Sequence, residues 1–174
     1  MKRIVRAGAV MAVVTLMAIP VKGEWVNARS GLNVRSTPST DAEIVAVLPF
    51  ATEVTGAVKD AWMQIDNGYV STEFLQDADP LADAEYLGTF HLTAYPSTGY
   101  QTASGKWPEV NVTVAHNSLP FGTELYIKGH GIWTVEDRGP ASMGTEWCDL
   151  YLGDYNACVL FGSRYAEVWV LKKP

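Results

Sequence analysis

Apolar and polar positions alternate with a period of two in several short stretches of the chain. Two of them are Glu43-Ile44-Val45-Ala46-Val47-Leu48 and Glu124-Leu125-Tyr126-Ile127-Lys128. That period puts every second side chain on one face of an extended strand. Turn signals cut the stretches short at Thr37-Pro38-Ser39, Asn67-Gly68, Lys128-Gly129-His130-Gly131 and Arg138-Gly139-Pro140. Only two segments read as helical, a brief one at 71–75 and a longer one ending at Phe161. The longer begins at Gly153 or Asp154, with Asp154 as a suitable N-cap and Gly162 as a suitable residue just past its end. The pattern predicts a mainly β chain.

The first residues follow a different pattern. Lys2, Arg3 and Arg6 precede an apolar run over 7–19, followed by Pro20, Val21, Lys22 and Gly23. The run is shorter than the roughly 20 apolar residues a bilayer span needs. A basic start, a short apolar middle and small residues at 21 and 23 predict a secretory signal peptide over 1–23. A second change of composition lies at 77–85, Asp-Ala-Asp-Pro-Leu-Ala-Asp-Ala-Glu, which is acidic and broken by Pro80. It reads as a linker with little to offer a core, dividing the rest into domains over 24–76 and 86–174. Domains so small favour tight barrels.

Composition and charge then remove whole classes of function. With 48% hydrophobic and 18% charged residues, the chain has enough apolar surface to fold rather than stay disordered. Cleavage after Gly23 would remove Lys2, Arg3, Arg6 and Lys22, leaving nine basic against 19 acidic residues and a net charge of −10. That balance argues against nucleic acid and against an anionic lipid surface, both of which need clustered Lys and Arg. No later run is long enough for a membrane helix. The two cysteines allow at most one bridge. HExxH, CxxC and phosphate-binding glycine motifs are missing from the sequence, so no metal or cofactor is expected. A secreted protein of the extracellular space, monomeric, is the expectation.

Within 24–76 the order of segments is Gly31-Leu32-Asn33-Val34-Arg35-Ser36-Thr37-Pro38-Ser39-Thr40, then 45–54, then Trp62-Met63-Gln64-Ile65. Gly68-Tyr69-Val70-Ser71-Thr72-Glu73-Phe74-Leu75 follows. This order resembles a bacterial SH3-like domain, a small barrel of five to seven strands. The inward residues would be Leu32, Val34, Ile44, Val47, Val54, Trp62, Ile65 and Val70. The resemblance implies binding to cell-wall peptide or a spacer role. Trp25 and Tyr69 are aromatics that could stack on a ligand or fill the core.

Three segments in 86–174 carry the candidate chemistry. They are Tyr86-Leu87-Gly88-Thr89-Phe90-His91-Leu92-Thr93-Ala94-Tyr95 running on to Thr102-Ala103-Ser104-Gly105, then 113–123, then Thr134-Val135-Glu136-Asp137-Arg138-Gly139-Pro140. Cys148-Asp149-Leu150-Tyr151 follows about a dozen residues later. Together they resemble the three-aspartate ("3D") domain, a six-stranded double-psi β-barrel shared with lytic transglycosylases. The stretches 115–123 and 136–140 are similar to the related rare lipoprotein A barrel. The resemblance implies cleavage of peptidoglycan glycan strands, with Asp137 as the catalytic acid and Asp149 in support. It also brings His116 near the site. Two positions depart from these patterns: His116-Asn117 stands where the 3D family carries its first aspartate, and Lys106 where the lipoprotein family has an acid. These departures keep a non-catalytic wall-binding protein, or a hydrolase of O-glycosyl bonds, as alternatives.

The residues themselves bear on that chemistry. Breaking a glycosidic bond needs a proton for the leaving oxygen, usually from a carboxyl of raised pKa. Asp137 ends the apolar run 132–135 and precedes a Gly-Pro turn, so partial burial would raise its pKa; Asp149 precedes another apolar run, and each carboxylate would raise the other's. His116, Tyr95, Glu109 and Arg138 are the substrate-binding candidates, although Asp137 with Arg138 also makes a competent turn and Arg138 could pair with Asp149. Cys148 and Cys158 are ten apart and form a disulfide on the exported reading, with two free buried thiols as the alternative. His91 and His130 read as structural.

Overall fold

The computed structural model describes residues 21–172. The expected signal peptide lies almost wholly outside them. The chain is mainly β and divides into a seven-stranded sheet and a closed six-stranded barrel.

The sheet is built from β1 (Val21–Val26), β2 (Leu32–Arg35), β3 (Ile44–Leu48), β4 (Glu53–Lys59), β5 (Trp62–Ile65), β6 (Gly68–Ser71) and β7 (Leu75–Gln76), in the order β3-β2-β6-β5-β4-β1-β7. Because β1 starts at Val21, and Lys22 and Gly23 pair with Gly56 and Thr55, the expected domain start at 24 falls inside a strand. Alternation works as anticipated in β2 and β4. Leu32, Val34 and Val54 are buried with Val26, Met63 and Val70 in one cluster, against which Ile65 packs, and Trp62 is half-buried. Ile44 and Val47 correct the expectation, being 49% and 56% exposed. On the edge strand β3, Ala46 and Leu48 are the residues opposite buried Val34 and Leu32, so Val47 points away, and a register irregularity at Val34/Arg35 turns Ile44 out as well. Gly56 is required by close approach: a Cβ there would sit 2.1 Å from the carbonyl oxygen of Gln64.

The barrel uses β8 (Glu85–Pro96), β9 (Thr113–Ala115), β10 (Glu124–Ile127), β11 (Gly131–Asp137), β12 (Trp147–Gly153) and β13 (Arg164–Val170), closing in the order β10-β11-β9-β12-β8-β13. Two of its pairs, β11 with β9 and β12 with β8, are parallel. Phe90, Leu92, Val114, Leu125, Ile127, Trp133, Val135, Leu150 and Val168 fill its interior together with Cys148. The helix α1 (Tyr155–Phe161) lies where expected: Asp154 accepts the Ala157 N–H on its side chain, and Gly162 closes the end at φ +63. The expected helical stretch at 71–75 is a single 3-10 turn over Thr72–Phe74.

The expected linker is a run of turns that does contribute to a core. Leu81 and Ala84 pack on Phe50, Tyr126 and Leu171, joining sheet to barrel. Phe50 meets Tyr126 edge-on at 5.6 Å, and Arg29 pairs with Glu124 at 2.6 Å across the same seam.

Candidate active site

The barrel brings four remote residues to one level. Thr93 on β8 is opposite Asp149 on β12, Asp149 is opposite Ala115 on β9, and Ala115 is opposite Asp137 on β11. The two aspartates are thus one strand apart on each side of Ala115, and their strands are not neighbours. Two strand spacings put their backbones about 10 Å apart.

Asp149 is half-buried, and Thr93 Oγ1 donates to its Oδ1 at 2.6 Å. The same hydroxyl accepts Trp147 Nε1–H at 2.8 Å, which leaves its own O–H to turn to Asp149. Asp149 Oδ2 has no protein partner among the described residues. Burial raises the Asp149 pKa most; the charge of Asp137 adds to the rise, while the Thr93 bond and His91 oppose it.

Asp137 is held differently. Its Oδ1 accepts the backbone N–H groups of Ala103, at 2.9 Å, and Arg138, at 2.8 Å. Its Oδ2 accepts the Tyr95 hydroxyl at 3.0 Å. Burial and the Asp137 charge push the Tyr95 phenol far above its ordinary value, so it stays a donor at any working pH. The Tyr95 ring packs at 5.2 Å from that of Tyr151.

The loop that supplies the Ala103 N–H is clamped by Glu136, which is 7% exposed at a register shift in β11. Lys106 Nζ and Thr113 Oγ1 reach its two carboxylate oxygens at 2.6 and 2.8 Å, and Ser104 N–H donates to its carbonyl. Lys106, the departure from the lipoprotein pattern, is thus the partner of a buried carboxylate. Glu109 is exposed and turns back on Thr113 through its backbone, so its carboxylate does not join the aspartates.

His116 and Arg138 are corrections to the substrate-binding expectation. His116 is 1% exposed, its Nδ1 accepts from Ser118 and Leu119 N–H, and its Nε2 donates to the Thr145 carbonyl at 2.9 Å. Both ring nitrogens are used, and burial lowers its pKa. Arg138 donates to the carbonyls of His116 and Asp137 and lies 3.8 Å over the Phe121 ring, with no ion pair to Asp149. Asn117 ties the following loop through Gly139, Pro140 and Met143. His116 and Asn117 therefore anchor the turn beyond Asp137.

The cysteines also correct the expectation. Both are free thiols in this structure. Cys148 points into the apolar interior, where burial pushes its thiol up to about 12, while Cys158 is part-exposed on α1. Such a thiol is little ionised and poorly reactive. Trp147, Thr93 and the clamp on Glu136 were missed in the sequence. Thr93 alone carried a signal, as a polar residue alternating with buried Phe90 and Leu92.

Two cavities lie away from the aspartates. One of about 550 Å³ opens at the seam of sheet and barrel, and one of about 580 Å³ is lined by Trp62 and Phe74 of the sheet. Neither is lined by Asp137 or Asp149. Among the described residues no cluster of His, Cys, Asp or Glu suits a metal ion, and no helix is long and apolar enough to cross a membrane. Neither a scan of protein-family models nor a search of curated proteins returned a match to the chain.

Proposed function

We propose that the protein is an exported peptidoglycan-active enzyme in which an SH3-like domain holds the wall and a double-psi barrel cleaves its glycan strands. The reaction is of the lytic transglycosylase type, between MurNAc and GlcNAc. One observation carries the reading: Asp149 is a half-buried carboxyl of raised pKa with Thr93 on Oδ1 and an Oδ2 without a protein partner among the described residues, two strands across from a second carboxylate whose charge adds to the rise.

The roles of the two aspartates are exchanged relative to the sequence expectation. Protonated Asp149 donates from Oδ2 to the glycosidic oxygen as the bond breaks. The resulting carboxylate, at the same place, takes the proton of the sugar's own 6-hydroxyl as that oxygen closes on the anomeric carbon. The ring formed is 1,6-anhydro, and no water is consumed. Asp137 keeps Asp149 protonated and stabilises the positive charge that develops on the sugar. Three donors on Asp137 leave it poorly placed to activate a water, which favours this route over hydrolysis, where a second working carboxylate is required.

Digestion of purified sacculi by the wild type, Asp149→Asn and Asp137→Asn, followed by mass spectrometry of the products, tests the proposal. Anhydro-muropeptides from the wild type and none from Asp149→Asn support it. Reducing-end products would mean a hydrolase. No products, with sacculi still pulled down, would leave a wall-binding protein.

A further inference from the structure

On the barrel's outer face Trp147 of β12, His91 of β8 and Tyr165 of β13 stand in one row across three neighbouring strands, His91 being opposite both of the others. Phe90, Leu92 and Cys148, which flank His91 and Trp147 in sequence, point into the core, so strand alternation turns the row outward. We infer that this row is a saccharide subsite, which takes a sugar ring of the glycan strand at Asp149 and sets that strand's register on the barrel. The inference deepens the proposed function and rests on it for the bond that is cut, though not for the capacity of the row to hold a saccharide.

Three observations carry it. The first is exposure. Tyr165 is 72% exposed, whereas Trp133, Tyr126 and Tyr151 of the same barrel are buried. Its ring serves no core, yet it is not loose: the His91 ring packs 5.2 Å from it and 4.6 Å from that of Trp147. Trp147 Nε1–H is spent on Thr93, which fixes the indole at the other end of the row. Rings already ordered in this way lose little freedom when a ligand lies on them. The second is chemistry. Each of the three side chains has an apolar body and a polar tip. His91 Nε2 is 2.6 Å from Ser163 Oγ, and no described residue bonds its Nδ1. Further along β13 the charge of Glu167 is paired with Lys128. The row thus offers aromatic faces with a hydroxyl, a phenol and an imidazole, and has no carboxylate or ammonium of its own. That set suits a pyranose, with its apolar C–H face and rim of neutral hydroxyls, better than a peptide terminus, which calls for an opposite charge.

The third is continuity with the candidate site. Thr93 and Asp149 are the next outward positions on β8 and β12, two residues or about 7 Å along the strands from His91 and Trp147. Tyr165 lies two strand spacings across from β12, about 10 Å. A sugar ring on the row therefore belongs to the same glycan strand as the bond at Asp149, as a neighbouring unit or the one after it. Trp147 joins the two places: its ring ends the row, and its N–H holds the hydroxyl that donates to Asp149.

Titration of the intact Asp149→Asn protein with chitohexaose, followed by side-chain NMR, tests the inference. The resonances of His91, Trp147 and Tyr165 should shift. Adding Tyr165→Ala or His91→Ala should weaken binding about tenfold, which is about 1.4 kcal/mol. Tyr165→Phe, which keeps the ring, should bind as its parent does. On sacculi, Tyr165→Ala in the otherwise wild-type chain should raise KM about tenfold and change kcat less than about threefold, as expected for binding shared by ground state and transition state. Its melting temperature should not move, since Tyr165 is exposed. Unchanged affinity in both alanine variants, shifts that spare the row, or tighter binding there of acetyl-Ala-Ala-Ala than of chitohexaose would overturn the inference. Chitohexaose bound on the row of a protein that cleaves no sacculi would refute the proposed function and leave the subsite standing.

Discussion

Sheet and barrel are made of similar short strands, but they differ in how those strands are joined and in what they bury. In the sheet, β2 with β3, β4 with β5 and β5 with β6 are hairpins, and Glu24 is its one buried ionisable residue. In the barrel, two parallel pairs demand crossovers, and Thr102, Thr113, His116 and Glu136 are buried. Hairpins bring together residues that are already close in sequence. Crossovers bring Thr93 to Asp149, and Asp149 and Asp137 to Ala115, so the closed barrel can assemble a site that the sheet cannot. The buried polar groups are the scaffolding of that site, each with its partners in place.

The largest expected effect separates the two regions by chemistry. Asp149→Asn should lower turnover on sacculi by about 10²–10⁴-fold, the share of a general acid–base group, as measured by release of soluble muropeptides. It should not cost stability at neutral pH. A carboxyl whose folded pKa is raised stabilises the fold while protonated, and that contribution is lost as pH rises through the folded value. The asparagine variant should therefore melt at the wild-type temperature or above it.

Next comes a separation by stability. Gly56→Ala would force a methyl against the Gln64 carbonyl, a backbone group that cannot move aside. Overpacking of this kind costs about 1–3 kcal/mol. In calorimetry the sheet's transition should fall by about 5–15 °C while the barrel's stays in place. A single transition moving as one would show that the seam at Phe50 and Tyr126 couples the two regions into one cooperative unit.

A pH effect should distinguish the barrel's buried polar groups from the sheet's apolar core. Burial, with the Arg138 charge adding to it, lowers the folded pKa of His116, and a proton on Nδ1 would displace the two N–H groups it accepts. Its contribution is present above the ordinary value of 6.5 and lost as pH falls through the lower folded value. Barrel stability, followed by melting temperature, should fall below about pH 6.5 in the wild type and fall less steeply in His116→Gln. The smallest effect is expected from Lys106→Met. It removes one solvent-exposed partner of Glu136 while Thr113 remains, and it should change turnover less than about threefold.

What was legible in the sequence follows the same division. The strands of the sheet, the turn residues between them and the Asp154-to-Gly162 limits of α1 were readable because the information is local. Val47 was misplaced because alternation gives a period and no origin: its face was set by the pairing of Ala46 and Leu48 with β2. Asp137 and Asp149 were legible as candidates, but their roles were not. Three donors converge on Asp137 from Tyr95, Ala103 and Arg138, and only Thr93 reaches Asp149, a distinction made by crossovers. For the same reason His116 read as a ligand group when it is the pin of a loop. The cysteine spacing allowed a bridge, while strand alternation in β12 turned Cys148 inward with Leu150.

The central claim is that burial and the nearby charge of Asp137 make Asp149 the proton donor. Carboxyl-carbon NMR titration of Asp149 in the wild type and in Asp137→Asn tests it most directly. The account expects Asp149 to titrate above its ordinary value of 3.8 in the wild type and to move down toward it in the variant, with the alkaline limb of the rate profile moving the same way. An Asp149 that titrates at or below 3.8, or that ignores the loss of the Asp137 charge, would contradict the assignment.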